Sequence, residues 1–175
     1  MAFQSACIER ASGERDAAGH GSMLVLGIGN SLLGDDGVGV HVVERLRAHP
    51  AHAAVRFVDG GTLSFTLLAL LQDADAMLVA DAAELGAPPG AVHLYENEAM
   101  DRFLAGPRRR SVHEVGLCEL LDMARLGDCL PPRRALLCVQ PADIGWSESL
   151  SPAVAGALAE ACATADALLR RWRAA

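Results

Sequence analysis

Met23-Leu-Val-Leu-Gly-Ile-Gly-Asn30-Ser-Leu-Leu-Gly-Asp35-Asp36-Gly-Val-Gly39-Val-His-Val-Val-Glu-Arg-Leu46 reads as a strand, a tight polar turn and a helix. Met23 to Ile28 is a short apolar run closed by glycines, the mark of a strand buried on both faces. Val38, Val42, Val43 and Leu46 then recur at helical spacing. Between them lie Gly27, Gly29, Asn30, Gly34, Asp35, Asp36 and Gly37. In open α/β sheets such a turn lies at the carboxyl end of its strand, where ligands bind. A helix N-terminus has spare N–H donors and partial positive charge, so it accepts carboxylates. Asp35 reads either as an N-cap or as a functional group, and the glycines as residues that allow a positive φ. Two adjacent carboxylates exceed what capping needs, which leaves Asp36 available for another task.

The same alternation runs outward from this stretch. His49 to His52 breaks the first helix, and Val55 to Val58 is the second strand, closed by Asp59-Gly-Gly-Thr62. Leu63 to Leu71 has the pattern of a second helix, and Ala76 to Ala80 is a third strand running straight into Asp81. Gly86 to Gly90 is a turn. Ala91 to Tyr95 alternates Val92 and Leu94 with His93 and Tyr95, as an edge strand would. Residues 96–112 read as irregular, then a helix runs from Glu114 to about Arg125 and is broken by Pro131-Pro132. Ala135 to Val139 is the fifth strand, and Gln140 to Leu150 a loop. Ser151 caps a last helix that begins at Pro152 and runs to about Arg171, with Val154, Leu158, Cys162, Ala165 and Leu169 on one stripe. This order predicts one α/β domain: a mostly parallel, twisted, five-stranded sheet with helices on both faces, no internal repeat and no second domain.

Composition narrows the function. The 175 residues suffice for one domain with a substantial core, and residues 1–22 read as a flexible N-terminal extension before a domain spanning 23–175. A net charge of -7 argues against a nucleic-acid partner, since phosphate binders are usually basic. The five cysteines are odd in number, scattered and without a C-x-x-C pair, which points to a reducing compartment, the cytoplasm. No apolar run reads as long enough to span a bilayer and no signal peptide is visible, so no membrane partner is expected.

Asp36, Asp59 and Asp81 all follow parallel strands and His113 opens a helix, so the fold can gather them at one edge. Asp81 follows four apolar residues, where a carboxylate needs a metal, a charged partner or local N–H donors. Two carboxylates and an imidazole suit zinc or nickel. His113-Glu114 starts like H-E-x-x-H, but Leu117 occupies the second histidine position. His20, His41, His49, His52 and His93 are weaker candidates, with His49 and His52 flanking a surface loop. Ser31, Thr62 and Ser64 lack a nucleophile elbow, and Leu32 stands where a dinucleotide fingerprint needs its third glycine. Arg108 to Arg110 reads as a solvated loop.

These stretches together resemble the [NiFe]-hydrogenase maturation endopeptidases. The resemblance rests on Leu24-Val-Leu-Gly-Ile-Gly-Asn30 with Gly34-Asp-Asp-Gly-Val-Gly39, Asp59-Gly-Gly-Thr62, Val79-Ala-Asp81-Ala, Ser111-Val-His113-Glu-Val-Gly-Leu117, and Val139-Gln-Pro141 leading to Leu150-Ser-Pro152. It covers nearly everything after residue 22. It implies a phosphorylase/hydrolase-like α/β sandwich that removes a C-terminal peptide from the hydrogenase large-subunit precursor after nickel insertion. It also implies that Asp36, Asp81 and His113 are the catalytic and metal-contacting residues. The metal would be nickel carried by the precursor, with zinc or cadmium able to substitute, and the free protein would be a monomer. The best-known members have Glu at the position of Asp36, and the family lacks the N-terminal extension. A non-catalytic checkpoint that holds the nickel-loaded subunit, or a small-ligand-binding domain, are the alternatives from other classes.

Overall fold

The computed structural model describes residues 22–62, 67–106 and 114–175. Five strands form one sheet: β1 (Met23–Ile28), β2 (Val55–Gly61), β3 (Ala76–Ala82), β4 (Val92–Glu96) and β5 (Arg133–Val139). Their spatial order is β2-β1-β3-β5-β4. All neighbours are parallel except β4, which pairs antiparallel with β5 at the edge. The parallel strands start in line, Met23 standing between Val55 and Ala76, so their carboxyl ends share one edge.

Alternation along the strands divides the core. Val25, Leu78, Ala80 and Leu137 face α1 (Val38–Arg47) and α5 (Pro152–Ala174). Leu24, Leu26, Met77, Val79 and Leu136 join the opposite cluster, with residues of α2 (Leu68–Gln72), α3 (Glu98–Leu104) and α4 (Glu114–Leu126). Central strands are thus apolar on both faces, as the unbroken run at Met23–Ile28 requires. Helix α1 lies unusually close to the sheet. A Cβ on Gly39 would stand 2.2 Å from the Ala80 carbonyl oxygen, and one on Gly27 would stand 2.4 Å from the Gly39 carbonyl oxygen. At these two positions glycine serves close approach, whereas Gly29 and Gly34 of the turn take the expected positive φ.

Three sequence expectations are corrected. Residues 96–112 are not uniformly irregular, because Glu98–Leu104 is a helix. Its Met100, Phe103 and Leu104 are buried, and Phe103 stacks on Tyr95 with ring centroids 4.2 Å apart. Asp101 fixes it further, accepting from Arg125 Nη2 at 2.9 Å and from the Arg134 guanidinium. Secondly, His52 does not lie on a surface loop: it is buried, with Nε2 3.0 Å from Asp166 Oδ1 of α5. Thirdly, the 23-residue α5 is long and apolar enough to cross a membrane by length and composition. Its Val154, Ala161, Ala165, Leu168, Leu169 and Trp172 are buried in the core cluster against the sheet.

Candidate active site at the carboxyl edge of the sheet

Where β1 ends, Gly29 takes φ 134° and its N–H donates to Gly61 O at 2.8 Å, tying the ends of β1 and β2 together. Gly34–Gly37 then forms a single 3-10 turn that leads into α1, and both carboxylates of that turn are buried. They point to different work. Asp36 Oδ2 accepts the N–H of Asn30 at 2.8 Å, closing the turn on itself. Asp35 reaches across the edge: Oδ2 accepts from Ala142 N at 2.8 Å and Asp143 N at 3.1 Å, and Oδ1 from Ser151 N at 2.7 Å. It makes no helix cap, so the capping reading is corrected. Its partners are the β5–α5 loop and Ser151, the residue that itself caps α5 through Val154 N. Burial pushes the Asp35 carboxyl up, but the three N–H groups and the Ser151 hydroxyl outweigh it and hold the pKa below the usual value.

Asp81 lies inside β3, opposite Cys138 of β5, one position further into the sheet than a strand ending at Ala80 would place it. It is 3 % exposed and Asp36 is 2 % exposed. The 3-10 turn carrying Asp36 packs on β3, so both carboxylates are buried at the carboxyl edge of adjacent strands. Asp59 differs. It is exposed at the end of β2, and Oδ1 accepts from Gly61 N at 2.8 Å, so its carboxylate shapes that strand end. His113 lies outside the described residues, immediately before α4, as do His20, Ser64 and Arg108–Arg110. Among the described residues no group of three His, Cys, Asp or Glu side chains is placed to hold a metal.

The remaining histidines stand apart from this constellation. His41 is 4.0 Å from Glu44 on α1, His49 accepts from Ala51 N at 3.2 Å, and His93 packs on Tyr95 at 4.3 Å. Sequence reasoning gave Gln140 no role of its own. This side chain is buried directly after β5; Oε1 accepts from Leu85 N at 2.7 Å and Nε2 donates to Glu84 Oε2 at 3.1 Å. It stitches the β3–β4 connection to the edge. Its signal was a polar residue at the end of a buried strand, the same signal that singled out Asp81. Cys129 and Cys138 are buried, and Cys118 and Cys162 are partly exposed.

Fold and edge together define a doubly wound α/β domain with buried carboxylates at the carboxyl edge of its sheet. Residues 40–167 match the hydrogenase maturation protease family. The hydrogenase expression/formation protein HupD of Rhodobacter capsulatus is 39% identical over 152 residues, 86% of this chain and 72% of that protein. The hydrogenase 2 maturation protease of Escherichia coli K12 is 30% identical over 85% of this chain and 90% of its own length. Among solved structures, the hydrogenase maturating endopeptidase HybD from E. coli superposes with a TM-score of 0.78 at 30% identity, covering 86% of this chain and 93% of that one. The chain belongs to the hydrogenase maturation protease family.

Proposed function

We propose that this chain is an endopeptidase that removes the C-terminal peptide of a [NiFe]-hydrogenase large-subunit precursor once nickel has been inserted. The observation that carries the reading is the burial of Asp36 and Asp81 together at the carboxyl edge, in a chain of the maturation protease family. Burying two carboxylates near one another is expensive unless a cation or a set of donors meets them. Carboxylate oxygens and an imidazole form a donor set that nickel and zinc accept. In this reading Asp36, Asp81 and His113 contact the nickel that arrives with the precursor, and zinc or cadmium take its place when the precursor is absent. Held there, the precursor presents its scissile carbonyl beside a Lewis acid that polarises it or acidifies a water. Asp59, with its carboxylate turned onto Gly61, shapes the rim. The odd number and scattered spacing of the cysteines fit a cytoplasmic protein, and we assign the free protein as a monomer.

Intact-mass analysis of a panel of [NiFe] large-subunit precursors, each nickel-loaded and nickel-free, tests this. The expected result is loss of a C-terminal peptide from a nickel-loaded precursor only. Asp36→Ala, Asp81→Ala and His113→Ala chains that remain folded should each lower cleavage by roughly 100-fold or more, since removing even an outer partner of a metal ligand has effects of about 10- to 100-fold. Full activity in all three would overturn the assignment of these residues. Stable co-purification of an uncut nickel-loaded precursor would instead show a non-catalytic checkpoint.

A further inference from the structure

Five large apolar side chains are more than a third exposed among the described residues, and three of them belong to two neighbouring loops: Leu32 (43%), Ile144 (48%) and Trp146 (82%). Leu32 is in the turn after β1, and Ile144 and Trp146 are in the β5–α5 loop. The two loops are joined as a short parallel bridge. Ser147 N donates to Leu32 O at 3.0 Å, Gly34 N to Ser147 O at 2.7 Å, and Asp35 N to Asp143 O at 3.0 Å. The Asp35 carboxylate adds its bonds to Ala142 and Asp143, Asp143 turns back on Gly145 N at 2.8 Å, and Ser147 Oγ closes a turn with Ser149. An irregular loop held by this many polar bonds has a defined shape. It presents an isoleucine and a tryptophan to water, where they add nothing to the core. Apolar side chains gathered on a surface in this way mark a binding face, and tryptophan is the residue most enriched at the centres of interfaces.

We infer that the ridge formed by Leu32, Ile144 and Trp146 is the docking surface for the large-subunit precursor, taking an apolar part of that polypeptide next to the bond that is cut. The inference rests on the function proposed above and names the surface it uses. Continuity with the site identifies the occupant. Leu32 precedes Asp36 by four residues, and the Asp36 N–H donates to the Leu33 carbonyl oxygen at 3.2 Å. The ridge thus adjoins the turn that carries Asp36, within reach of a polypeptide whose reacting bond is held there. The other exposed apolar residues, Met123 and Leu126, are on α4 and have no such link to the Asp36 turn.

The test compares the full chain with Trp146→Ser/Ile144→Ser, using the nickel-loaded precursor that the unaltered chain cleaves. Cleavage by the unaltered chain tests the proposed function; the variant tests the docking surface. The double variant should keep its melting temperature and kcat, and its KM for precursor should rise about 30-fold, the scale of losing one interface anchor. Leu126→Ser, on the remote exposed site, should leave both constants unchanged. A KM within twofold of the unaltered chain would overturn the inference, as would loss of a concentration-dependent dimer in the variant with cleavage intact. If the variant unfolds, Trp146 fluorescence in the Trp172→Phe chain decides. Addition of nickel-loaded precursor should blue-shift its emission and shield it from iodide. Unchanged emission and quenching would overturn the docking role.

Discussion

Buried polar groups at the two ends of the sheet are satisfied in opposite ways. At the carboxyl edge, Asp35 is fully buried and receives three backbone N–H groups from Ala142, Asp143 and Ser151. At the amino edge, His52 is also buried, and its Nε2 lies 3.0 Å from Asp166 Oδ1 without hydrogen-bond alignment. Its Nδ1 has no hydrogen-bond partner among the described residues. Backbone donors are fixed by the fold and stabilise a charge without reorganising. Burial depresses the His52 pKa; Asp166 opposes it, and His49, Arg173 and Arg170 add to it. The lesson is that charge is built into the carboxyl edge, whereas at the other end burial favours the neutral form of a titratable group.

The largest expected effect attacks the backbone geometry of the carboxyl edge. In Gly39→Ala the new methyl would collide with the Ala80 and Ile28 carbonyl oxygens, at 2.2 and 2.4 Å, and neither is a flexible group. Overpacking of this kind costs about 3 kcal/mol or more. A chemical melt should show that loss, and Gly156→Ala on the open face of α5 should be neutral or slightly stabilising. Next comes Asp35→Asn. The amide keeps the shape but loses the charge and turns an NH2 toward at least one N–H donor. About 3 kcal/mol should be lost, the scale of charged hydrogen bonds left unmet. Because the same carboxylate holds the loop of Ile144 and Trp146, KM for the precursor should rise as well.

The two edges should also separate on a pH axis. Asp35 has a depressed folded pKa, so its stabilisation is complete above the ordinary carboxylate range and is lost only as pH falls below about 4 toward that lower value. His52 also has a depressed folded pKa, but as a base it favours the unfolded state when protonated. Its unfolded form takes up protons first, so stability declines as pH falls through about 6.5, by at most ~1.4 kcal/mol per pH unit. Melts between pH 7.5 and 5 should show this decline in the unaltered chain and a smaller one in His52→Phe. Equal slopes would mean that His52 is not the group responsible.

The sheet was legible because its strands are local patterns: the apolar run Met23–Ile28 and the alternation at Val92–Tyr95 each state which faces are covered. Helix α3 was missed for a local reason too. It has seven residues and no side-chain cap, and it follows Asn97 at φ 47°, although Met100, Phe103 and Leu104 carry helical spacing. Asp36 and Asp81 were legible as carboxylates beside strand ends. The work of Asp35 was not, because its acceptors meet donors 107 to 116 positions away. His52 was misread for the same reason. Alanines and a proline surround it in sequence, and the residue that faces it comes from α5.

The smallest expected effect tests where the domain starts. Ser22 lies at the amino edge, where its N–H donates to Asp75 Oδ2 at 2.9 Å and its carbonyl oxygen accepts from Asp75 N at 2.9 Å and Ala76 N at 3.2 Å. A chain that begins at Met23 loses these bonds, which are partly exposed and lie at the opposite end of the sheet from Asp36. Net hydrogen-bond contributions of that kind are about 1 kcal/mol each or less, because water replaces the lost partner. The new terminal ammonium at Met23 can also approach the Asp75 carboxylate. Such a chain should therefore melt within a few degrees of the full one and cleave the nickel-loaded precursor at the same rate. A loss of cleavage without a loss of stability would give residues 1–22 a part in recognition and would break the division between the two edges. A loss of folding would place the start of the domain before Met23.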